Sequence, residues 1–300
     1  MKGRFAPTPS GRMHLGNLFS ALLAWLDARS QGGRMVLRLE DLDPDRCTQA
    51  WCDQVMRDLE WLGLDWDEGG VEPNYCQSRR SQHYEAAFRT LEEQGLVYPC
   101  YCSRAQRLAA SAPPPGGERD LGHCPCRDLS QAEREAKAMV KAPAWKVALP
   151  HETVQFRDLI QGEQAFDLAR DCGDFVIRRA DGVYGYQLAV TVDDALMGVT
   201  RVVRGRDLLD SAARQIWLME QLGYHAPVYA HVPLLLAPDG RRLSKRERDL
   251  DMGALRERFS PGSLRQLLWD LLALPDHGAE GQDFSIDKVG KEDISIEIME

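Results

Sequence analysis

The sequence predicts an α/β protein built on a doubly wound parallel sheet, with an inserted subdomain and a short helical C-terminal region. Apolar strand-like segments alternate with amphipathic helical segments in residues 1–99 and again in residues 173–250. Between them, residues 100–172 are rich in proline, glycine and cysteine, and the alternation is lost. Alternating strands and helices are typical of a parallel sheet covered by helices on both faces. We therefore expect one nucleotide-binding fold interrupted by an insertion and followed by residues 251–300.

The first half of this fold begins with a strand that ends at Phe5 and Ala6. The segment "NLFSALLAWLDARSQGG" has helical periodicity and stops at paired glycines, and "RMVLRLEDLD" has the pattern of a strand. Two more amphipathic helices, "TQAWCDQVMRDLEWLGL" and "SQHYEAAFRTLEEQGL", each end near a glycine. The segment "VYPCYC" then predicts a short strand or turn.

The insertion and the second half of the fold have different patterns. In the insertion, "AWKVALPHETVQFRDLIQGEQAFDL" is typical of short antiparallel strands joined by turns. The α/β alternation resumes at "DFVIRR" and continues through "YGYQLAVTVDDAL", "VTRVVRG", the helix "LLDSAARQIWLMEQLG" and the apolar strand "VYAHVPLLL". The last region contains one clear helix, "SPGSLRQLLWDLLAL", which Ser260 or Ser263 could cap, and an acidic, weakly patterned end.

The composition favours a soluble globular protein. Of 300 residues, 44% are hydrophobic and 28% are charged, which is enough for a sizeable core. No uninterrupted apolar stretch approaches the roughly 20 residues that a membrane-spanning helix needs, so we expect a cytoplasmic protein with no membrane contact. The net charge of −9 argues against indiscriminate nucleic-acid binding, although it leaves room for a local basic face.

The stretch "RFAPTPSGRMHLGN" near the start has the features of a phosphate-binding turn. Prolines fix its backbone, Gly11 and Gly16 remove side chains, and a helix begins near Gly16 or Asn17. The unpaired N–H groups of a helix start attract phosphate, and His14 could donate to phosphate oxygens. The alternative is an ordinary strand–turn–helix connection in which the histidine is incidental.

A second basic segment, "GRRLSKRERD", follows the last apolar strand and a turn that contains proline. It carries Lys245 among four arginines, and such a loop could close over a polyphosphate. The alternative is a solvated charged loop.

Together these segments resemble the two signature motifs of class I aminoacyl-tRNA synthetases. "MHLGN" stands where the class has its HIGH motif, with Asn17 in the place of the last histidine, and "RLSKR" stands where it has KMSKS, with Arg242 and Leu243 replacing the first lysine and the methionine. "RLEDLDPDR", "YGYQLAVTVDD" and "VVRGRDLLDSAARQ" lie between them in the order found in the glutamyl-tRNA synthetase catalytic domain. The resemblance covers residues 4–250 and implies a Rossmann-type catalytic domain of this class.

The resemblance also implies the roles of individual residues. The implied catalytic residues are His14, Ser244 and Lys245. The residues implied for ATP, which binds with Mg²⁺, are Pro7, His14, Gly16, Asn17 and Lys245. The residues implied for L-glutamate are Arg4, Ala6, Thr8, Glu40, Tyr186 and Arg204. These types suit the substrate, because guanidinium groups pair with its carboxylates, a carboxylate accepts its ammonium, and an aromatic ring walls the site.

The length of the chain favours a short relative of that family. Too few residues follow Arg248 to form an anticodon-binding domain of typical size. The chain therefore resembles the glutamyl-queuosine tRNA(Asp) synthetases, which activate glutamate without tRNA and transfer it to queuosine at the wobble position of tRNA(Asp). We expect a monomer. The alternatives are a truncated or split glutamyl-tRNA synthetase, or a non-catalytic zinc-containing RNA-binding paralogue.

Two Cys-x-Cys pairs flank a loop rich in glycine and proline: Cys100 with Cys102, and Cys124 with Cys126. A disulfide framework is not expected in a chain of this length that shows no signal peptide. Four thiolates at this spacing could hold a structural Zn²⁺ ion in tetrahedral geometry, with free thiols as the alternative.

The fourth ligand is the open point of this predicted zinc site. Members of the resembled family commonly carry a Cys-x-Cys, then a tyrosine and a cysteine before an arginine, and "CPCRDL" aligns Cys126 with that last cysteine. We take Cys124 as the fourth ligand, with His123 and Asp120 as its alternatives.

Overall fold

The structure, a computed structural model, describes residues 1–103, 124–237, 239–241, 243, 250–272 and 284–296. The strands in these ranges are β1 (Lys2–Phe5), β2 (Arg34–Leu37), β3 (Glu68–Gly69), β4 (Val97–Cys100), β5 (Ala144–Val147), β6 (Thr153–Asp158), β7 (Gly162–Asp167), β8 (Phe175–Arg178), β9 (Arg201–Gly205), β10 (Val228–Val232), β11 (Leu235–Leu236) and β12 (Ile294–Ser295). The α-helices are α1 (Leu15–Ser30), α2 (Gln49–Leu62), α3 (Ser81–Glu93), α4 (Gln131–Ala138), α5 (Tyr186–Leu196), α6 (Leu209–Gln221), α7 (Met252–Arg258) and α8 (Pro261–Asp270).

A parallel sheet forms the centre of the fold. Strand β2 pairs in parallel with β1 on one side and β3 on the other, and β9 pairs in parallel with β10. Strand β9 lies next to β1, since the N–H of Thr200 donates to the carbonyl of Lys2 at 2.9 Å. The chain therefore leaves β1 for β2 on one side and returns to β9 on the other. In doubly wound folds this point of reversal, at the carboxyl ends of the strands, is where ligands bind.

Helix α1 packs against β1, β2 and β9, and buried residues lie around most of its circumference. Leu18 and Leu23 are completely buried, and Phe19 and Leu26 are each only 1% exposed. A second core forms where α3, α5 and α6 pack together around Tyr84, Leu188 and Trp217, among others. The predicted doubly wound α/β fold is confirmed.

The insertion is antiparallel, as its sequence predicted, but its sheet also includes β4 and β8, which we assigned to the first and second halves of the core. Strands β4, β5 and β8 form a three-stranded antiparallel sheet, and β6 and β7 form a hairpin. The segment "DFVIRR" contains β8 and belongs to this antiparallel sheet. Its apolar pattern was read correctly as a strand, but a run of buried residues does not specify the neighbour with which a strand pairs.

The apolar segment "VYAHVPLLL" forms two strands instead of the single strand predicted. Strand β10 pairs with β9 and ends before Pro233, and β11 pairs with β12 near the C-terminus. Proline lacks the N–H that a central strand would donate, so it ends the first ladder.

The C-terminal segment, which we read as weakly patterned, is attached to this second strand. Asp293 accepts the N–H of Leu234 at 2.8 Å and a hydrogen bond from Arg206 at 2.7 Å. Upstream, Ser260 caps α8, since its side chain accepts the N–H of Ser263; of the two predicted caps, Ser260 is the one that forms. Among the helices in the described ranges, none is both long and apolar enough to span a membrane.

Replacement of Asp293 with alanine should release the C-terminal strand from β11. The change removes one bond to a backbone N–H and one charge-assisted bond to Arg206, so we expect a loss of about 1–3 kcal/mol in the free energy of unfolding. Hydrogen exchange at the Leu234 N–H should accelerate. Glu292→Ala, at the exposed neighbouring position, is the control and should change neither measurement. Unchanged exchange in Asp293→Ala would contradict this account of the attachment.

Candidate active site

The turn after β1 leads directly into the N-terminus of α1. His14 is the N-cap residue, and its backbone N–H donates to the side chain of Asn17 at 3.1 Å. A side chain at Gly16 would meet the His14 ring, since a Cβ atom built there would lie 3.2 Å from it. The first N–H groups of a helix have no partner inside the helix, so this end of α1 favours an anion.

A cleft of about 770 Å³ opens at this helix end. It lies between the carboxyl ends of β1 and β9, at the point where the sheet reverses direction. The predicted residues that line it are Arg4, Ala6, Pro7, Thr8, His14, Gly16, Asn17, Glu40, Tyr186 and Arg204. Predicted positions that are far apart in the chain thus share one cavity. Ser244 and Lys245 lie outside the described residues.

Arg4 extends from β1 and is held by a buried carboxylate. Its Nη1 donates to the carbonyl of Val203 on β9 at 3.1 Å, and its Nε lies 3.6 Å from Asp194. Asp194 also pairs with Arg38 at 2.5 Å, and both of these residues are completely buried. Burial raises the pKa of Asp194, but the Arg38 and Arg4 guanidinium groups outweigh it and hold that pKa below its ordinary value. Asp194 is therefore an anion that positions two arginines.

Glu40 follows β2 and faces the same cleft. The Nη2 of Arg38 donates to it at 3.2 Å, and its backbone N–H donates to the carbonyl of Pro7 at 3.0 Å. Burial raises the pKa of Glu40, while Arg38 and Arg4 act in the opposite direction. The carboxylate can accept hydrogen bonds from an ammonium group in the cleft.

Arg204 at the end of β9 is 5% exposed and has three protein partners. Its Nε donates to the Nε2 of His231 at 3.0 Å, and its Nη1 donates to Gln215 at 2.8 Å. Its Nη2 donates to the carbonyl of Leu208 at 3.2 Å. All three acceptors are neutral groups, in contrast to the carboxylate beside Arg4.

The two neighbouring tyrosines lie in different parts of the structure. Tyr186, the first residue of α5, lines the cleft, and burial raises the pKa of its hydroxyl. Tyr184 instead donates a hydrogen bond to Glu85 and packs edge-on against Tyr84 in the second core. Gly185 lies between the two tyrosines and packs closely against β8, where a Cβ atom would lie only 2.4 Å from the carbonyl of Val176.

Sequence reasoning missed several residues of this region. Arg12 and Arg46 also line the cleft and add positive charge near the end of α1. Arg38 and Asp194 were missed as the buried pair that supports Arg4. A signal for that pair was available, because both charges interrupt apolar runs, "MVLRL" and "LAVTVDDAL". A charge at a buried position is almost always paired.

The four cysteines of the insertion form a compact cluster. Their sulfur atoms all lie within 4.8 Å of one another. Three of the separations are 3.6 Å, namely Cys100 to Cys124, Cys102 to Cys124 and Cys102 to Cys126. A disulfide bond would need about 2.05 Å. A tetrahedral zinc ion with Zn–S distances of about 2.3 Å places its sulfurs about 3.8 Å apart, so the cluster has the size for zinc.

The surroundings of the cluster also suit a metal. The backbone N–H of Tyr101 donates to the Cys126 sulfur at 3.4 Å, which is a contact that stabilises a thiolate. Burial raises the pKa of Cys100 and of Cys102; burial acts the same way on Cys124, but hydrogen bonds, chiefly from the Cys126 backbone N–H, outweigh it and lower the pKa of that thiol. The four thiols could therefore hold a zinc ion. His123 and Asp120, the alternatives to Cys124, lie outside the described residues.

The fold and the cleft together define the catalytic domain of a class I tRNA synthetase. The family model "tRNA synthetases class I (E and Q), catalytic domain" matches residues 1–278. The structure is similar to a glutamate–tRNA ligase from Elizabethkingia meningosepticum, with a TM-score of 0.81 and 25% sequence identity. That match covers 98% of this chain and 66% of the ligase. A glutamate–tRNA synthetase from Elizabethkingia anophelis gives a TM-score of 0.83 at 25% identity, covering 99% and 68% of the two chains.

Proteins similar in sequence show which members of this class resemble the chain. The glutamyl-Q tRNA(Asp) synthetase of Symbiobacterium thermophilum is 52% identical over 261 residues, which cover 85% of this chain and 80% of that protein. The protein of the same name from Nitratidesulfovibrio vulgaris is 46% identical, covering 88% and 83%. Glutamate–tRNA ligase 2 of Alkalilimnicola ehrlichii is 42% identical, but this chain covers only 60% of it. The chain belongs to the class I family for glutamate and glutamine and, within it, to the glutamyl-Q tRNA(Asp) synthetases. The resemblance found in the sequence is confirmed.

Replacement of Asp194 with asparagine should strongly destabilise the protein. The variant leaves Arg38 and Arg4 buried without their shared anion, and breaking a buried ion pair in this way costs about 3–5 kcal/mol. The free energy of unfolding from urea titration measures the loss. The control is Arg157→Ala, which removes an exposed ion pair with Glu163 and should change the stability by less than about 1 kcal/mol. Equal effects of the two variants would contradict the role assigned to Asp194.

The double variant Cys100→Ser, Cys102→Ser should lose bound zinc, because it removes half of the thiolate ligands. Elemental analysis of the purified protein should find about one zinc ion per wild-type chain and close to none in the variant. The matched control is Cys47→Ser, Cys76→Ser, which removes two half-buried thiols outside the cluster and should keep the metal. Retention of zinc by the first variant would place the ligands elsewhere.

Proposed function

We propose that this chain uses ATP to activate L-glutamate as glutamyl-adenylate and then transfers the glutamate to queuosine at the wobble position of tRNA(Asp). The observation that carries the proposal is the cleft, in which an anion-attracting helix start lies beside two arginines and a glutamate. The names of the glutamyl-Q tRNA(Asp) synthetase relatives support the same activity and acceptor.

The amino acid is recognised by the walls of the cleft. Glutamate carries two carboxylates and one ammonium group, and Arg4, Arg204 and Glu40 offer the complementary charges. Ala6 and Thr8, in the turn after β1, and Tyr186 complete the site. Glutamine presents one carboxylate fewer, so it leaves a buried guanidinium without an anionic partner and binds less well.

Activation requires positioning and charge stabilisation more than covalent help from the protein. An oxygen of the α-carboxylate attacks the α-phosphorus of ATP, the bond from that phosphorus to the bridging oxygen breaks, and pyrophosphate leaves. His14 and the start of α1, with Pro7, Gly16 and Asn17, hold the phosphates, while Lys245, next to Ser244 in the sequence, offsets charge on the leaving pyrophosphate. The Mg²⁺ that accompanies ATP offsets phosphate charge. In the transfer step, a hydroxyl of the queuosine cyclopentenediol attacks the activated carbonyl, loses its proton, and AMP leaves.

The zinc ion has a structural role in this proposal. Cys100, Cys102, Cys124 and Cys126 would hold it in the insertion, away from the residues that line the cleft. The enzyme acts as a cytoplasmic monomer on ATP, glutamate and a tRNA that carries queuosine.

ATP–pyrophosphate exchange tests the first half of the reaction. We expect glutamate to support exchange in the absence of tRNA, and glutamine to support it at least about 10²-fold less efficiently, because the site must leave a charge unpaired. Comparable exchange with both amino acids would overturn the assignment of Arg4 and Arg204.

The acceptor is tested separately with two preparations of tRNA(Asp) that differ only in queuosine. Transfer of radiolabelled glutamate to the queuosine-containing tRNA alone is the expected result. Equal transfer to both would overturn queuosine as the acceptor. Exchange that occurs only when tRNA is added would favour a split glutamyl-tRNA synthetase, and no exchange under any condition would favour a non-catalytic RNA-binding paralogue.

A further inference from the structure

A completely buried histidine links the inserted hairpin to the arginine of the substrate cleft. His231, on β10, receives a hydrogen bond at its Nε2 from the Nε of Arg204 at 3.0 Å. Its Nδ1 lies 2.6 Å from the carboxylate of Asp158, at the end of β6 in the insertion. The contact between Asp158 and His231 connects residues that lie 73 positions apart in the chain.

The tautomer of His231 follows from its neighbours. A guanidinium N–H can only donate, so the Nε2 atom of the ring must be the acceptor and carries no proton. The proton then sits on Nδ1 and is donated to Asp158, which leaves the ring neutral. Burial lowers the pKa of His231, with Asp158 opposing that shift, so the neutral form is the stable one near neutral pH.

Asp158 is fixed tightly enough to select this tautomer. It is completely buried and accepts the backbone N–H groups of Ile160 at 3.0 Å, Gln161 at 2.8 Å and His231 at 3.1 Å. Burial raises its pKa, but the His231 ring and these N–H groups outweigh that and keep the pKa below its usual value. The side chain of Gln161 donates to the carbonyl of His231 at 2.9 Å and adds a second tie between the hairpin and β10.

We infer that His231, oriented by Asp158, is a positioning residue that aims Arg204 at a carboxylate of the amino acid without neutralising its charge. This inference rests on the proposed function. Arg204 has five N–H groups, and three of them are used by His231, Gln215 and Leu208. The two that remain in the described structure belong to the terminal nitrogens, which can bind a carboxylate in the cleft. Because each of these three acceptors is neutral, none of them competes with a substrate carboxylate for the guanidinium, and this favours a carboxylate over a carboxamide.

The kinetic test compares three variants in the ATP–pyrophosphate exchange assay. His231→Phe keeps the ring shape, which stacks on Tyr229 at a centroid distance of 5.8 Å, but removes the acceptor. We expect the KM for glutamate to rise about tenfold or more, equivalent to about 1.4 kcal/mol, while the KM for ATP stays within about twofold. His231→Gln returns an acceptor oxygen and should recover most of the loss.

Phe156→Leu is the matched control for damage to packing. Phe156 contacts Tyr229 and Phe166 at the same hairpin but makes no hydrogen bond to Arg204. It should lower the stability and leave both KM values unchanged. A normal KM for glutamate in His231→Phe, or an equal rise in Phe156→Leu, would overturn the positioning role.

A measurement that does not depend on activity decides the tautomer. Nitrogen-15 labelling of the seven histidines, with the signal of His231 assigned by its loss in His231→Phe, reports which ring nitrogen carries the proton. We expect a neutral ring with the proton on Nδ1 at pH 7. A ring protonated on Nε2 overturns the inference even if the enzyme activates glutamate. A correct tautomer in a protein that does not activate glutamate would instead overturn the proposed function.

Discussion

The cleft depends on one buried anion, Asp194. Two arginines reach into the protein interior from adjacent parallel strands, and neither could be buried there without a carboxylate between them. Asp194 lies 2.5 Å from Arg38 and 3.6 Å from Arg4, and Arg38 in turn donates to Glu40. This network extends from helix α5 to strands β1 and β2, so the positions of the two walls of the cleft are set by one set of charges. The neighbouring Asp193 continues it by pairing with Arg80 at 2.6 Å.

Segments outside the central sheet also hold the cleft in shape. The hairpin of the insertion reaches Arg204 through Asp158 and His231, and the C-terminal segment reaches Arg206 and Leu234 through Asp293. Leu234 lines the cleft, and Arg206 follows Gly205, which lines it too. Elements that contribute no surface to the cavity thus restrain the residues that do.

Much of the architecture could be predicted from the sequence, for reasons that the structure makes clear. Helix α2 has an apolar stripe and α1 is apolar on most sides, and motif residues such as His14 and Arg204 lie at the ends of strongly patterned segments. The pairing of β8 could not be predicted, because an apolar run gives no information about its partner strand. Strand β12 has only two residues, which is too short for any periodicity. The contact between Asp158 and His231 joins residues far apart in the sequence, so no local sequence pattern predicts it.

The two arginines of the cleft illustrate how burial sets the role of a charge. Arg4 and Arg204 are equally inaccessible, at 4% and 5% exposure, and a sequence motif alone gives them equivalent roles. Their partners differ, because Arg4 faces the carboxylate of Asp194, whereas Arg204 donates only to an imidazole, an amide and a carbonyl. Burial lowers the pKa of Arg4 even with Asp194 beside it, so the two guanidinium groups sit in different electrostatic surroundings. In the proposed function, these neutral acceptors leave the Arg204 guanidinium to pair with a carboxylate of the substrate in preference to a carboxamide, and His231 in its Nδ1–H form is one of them.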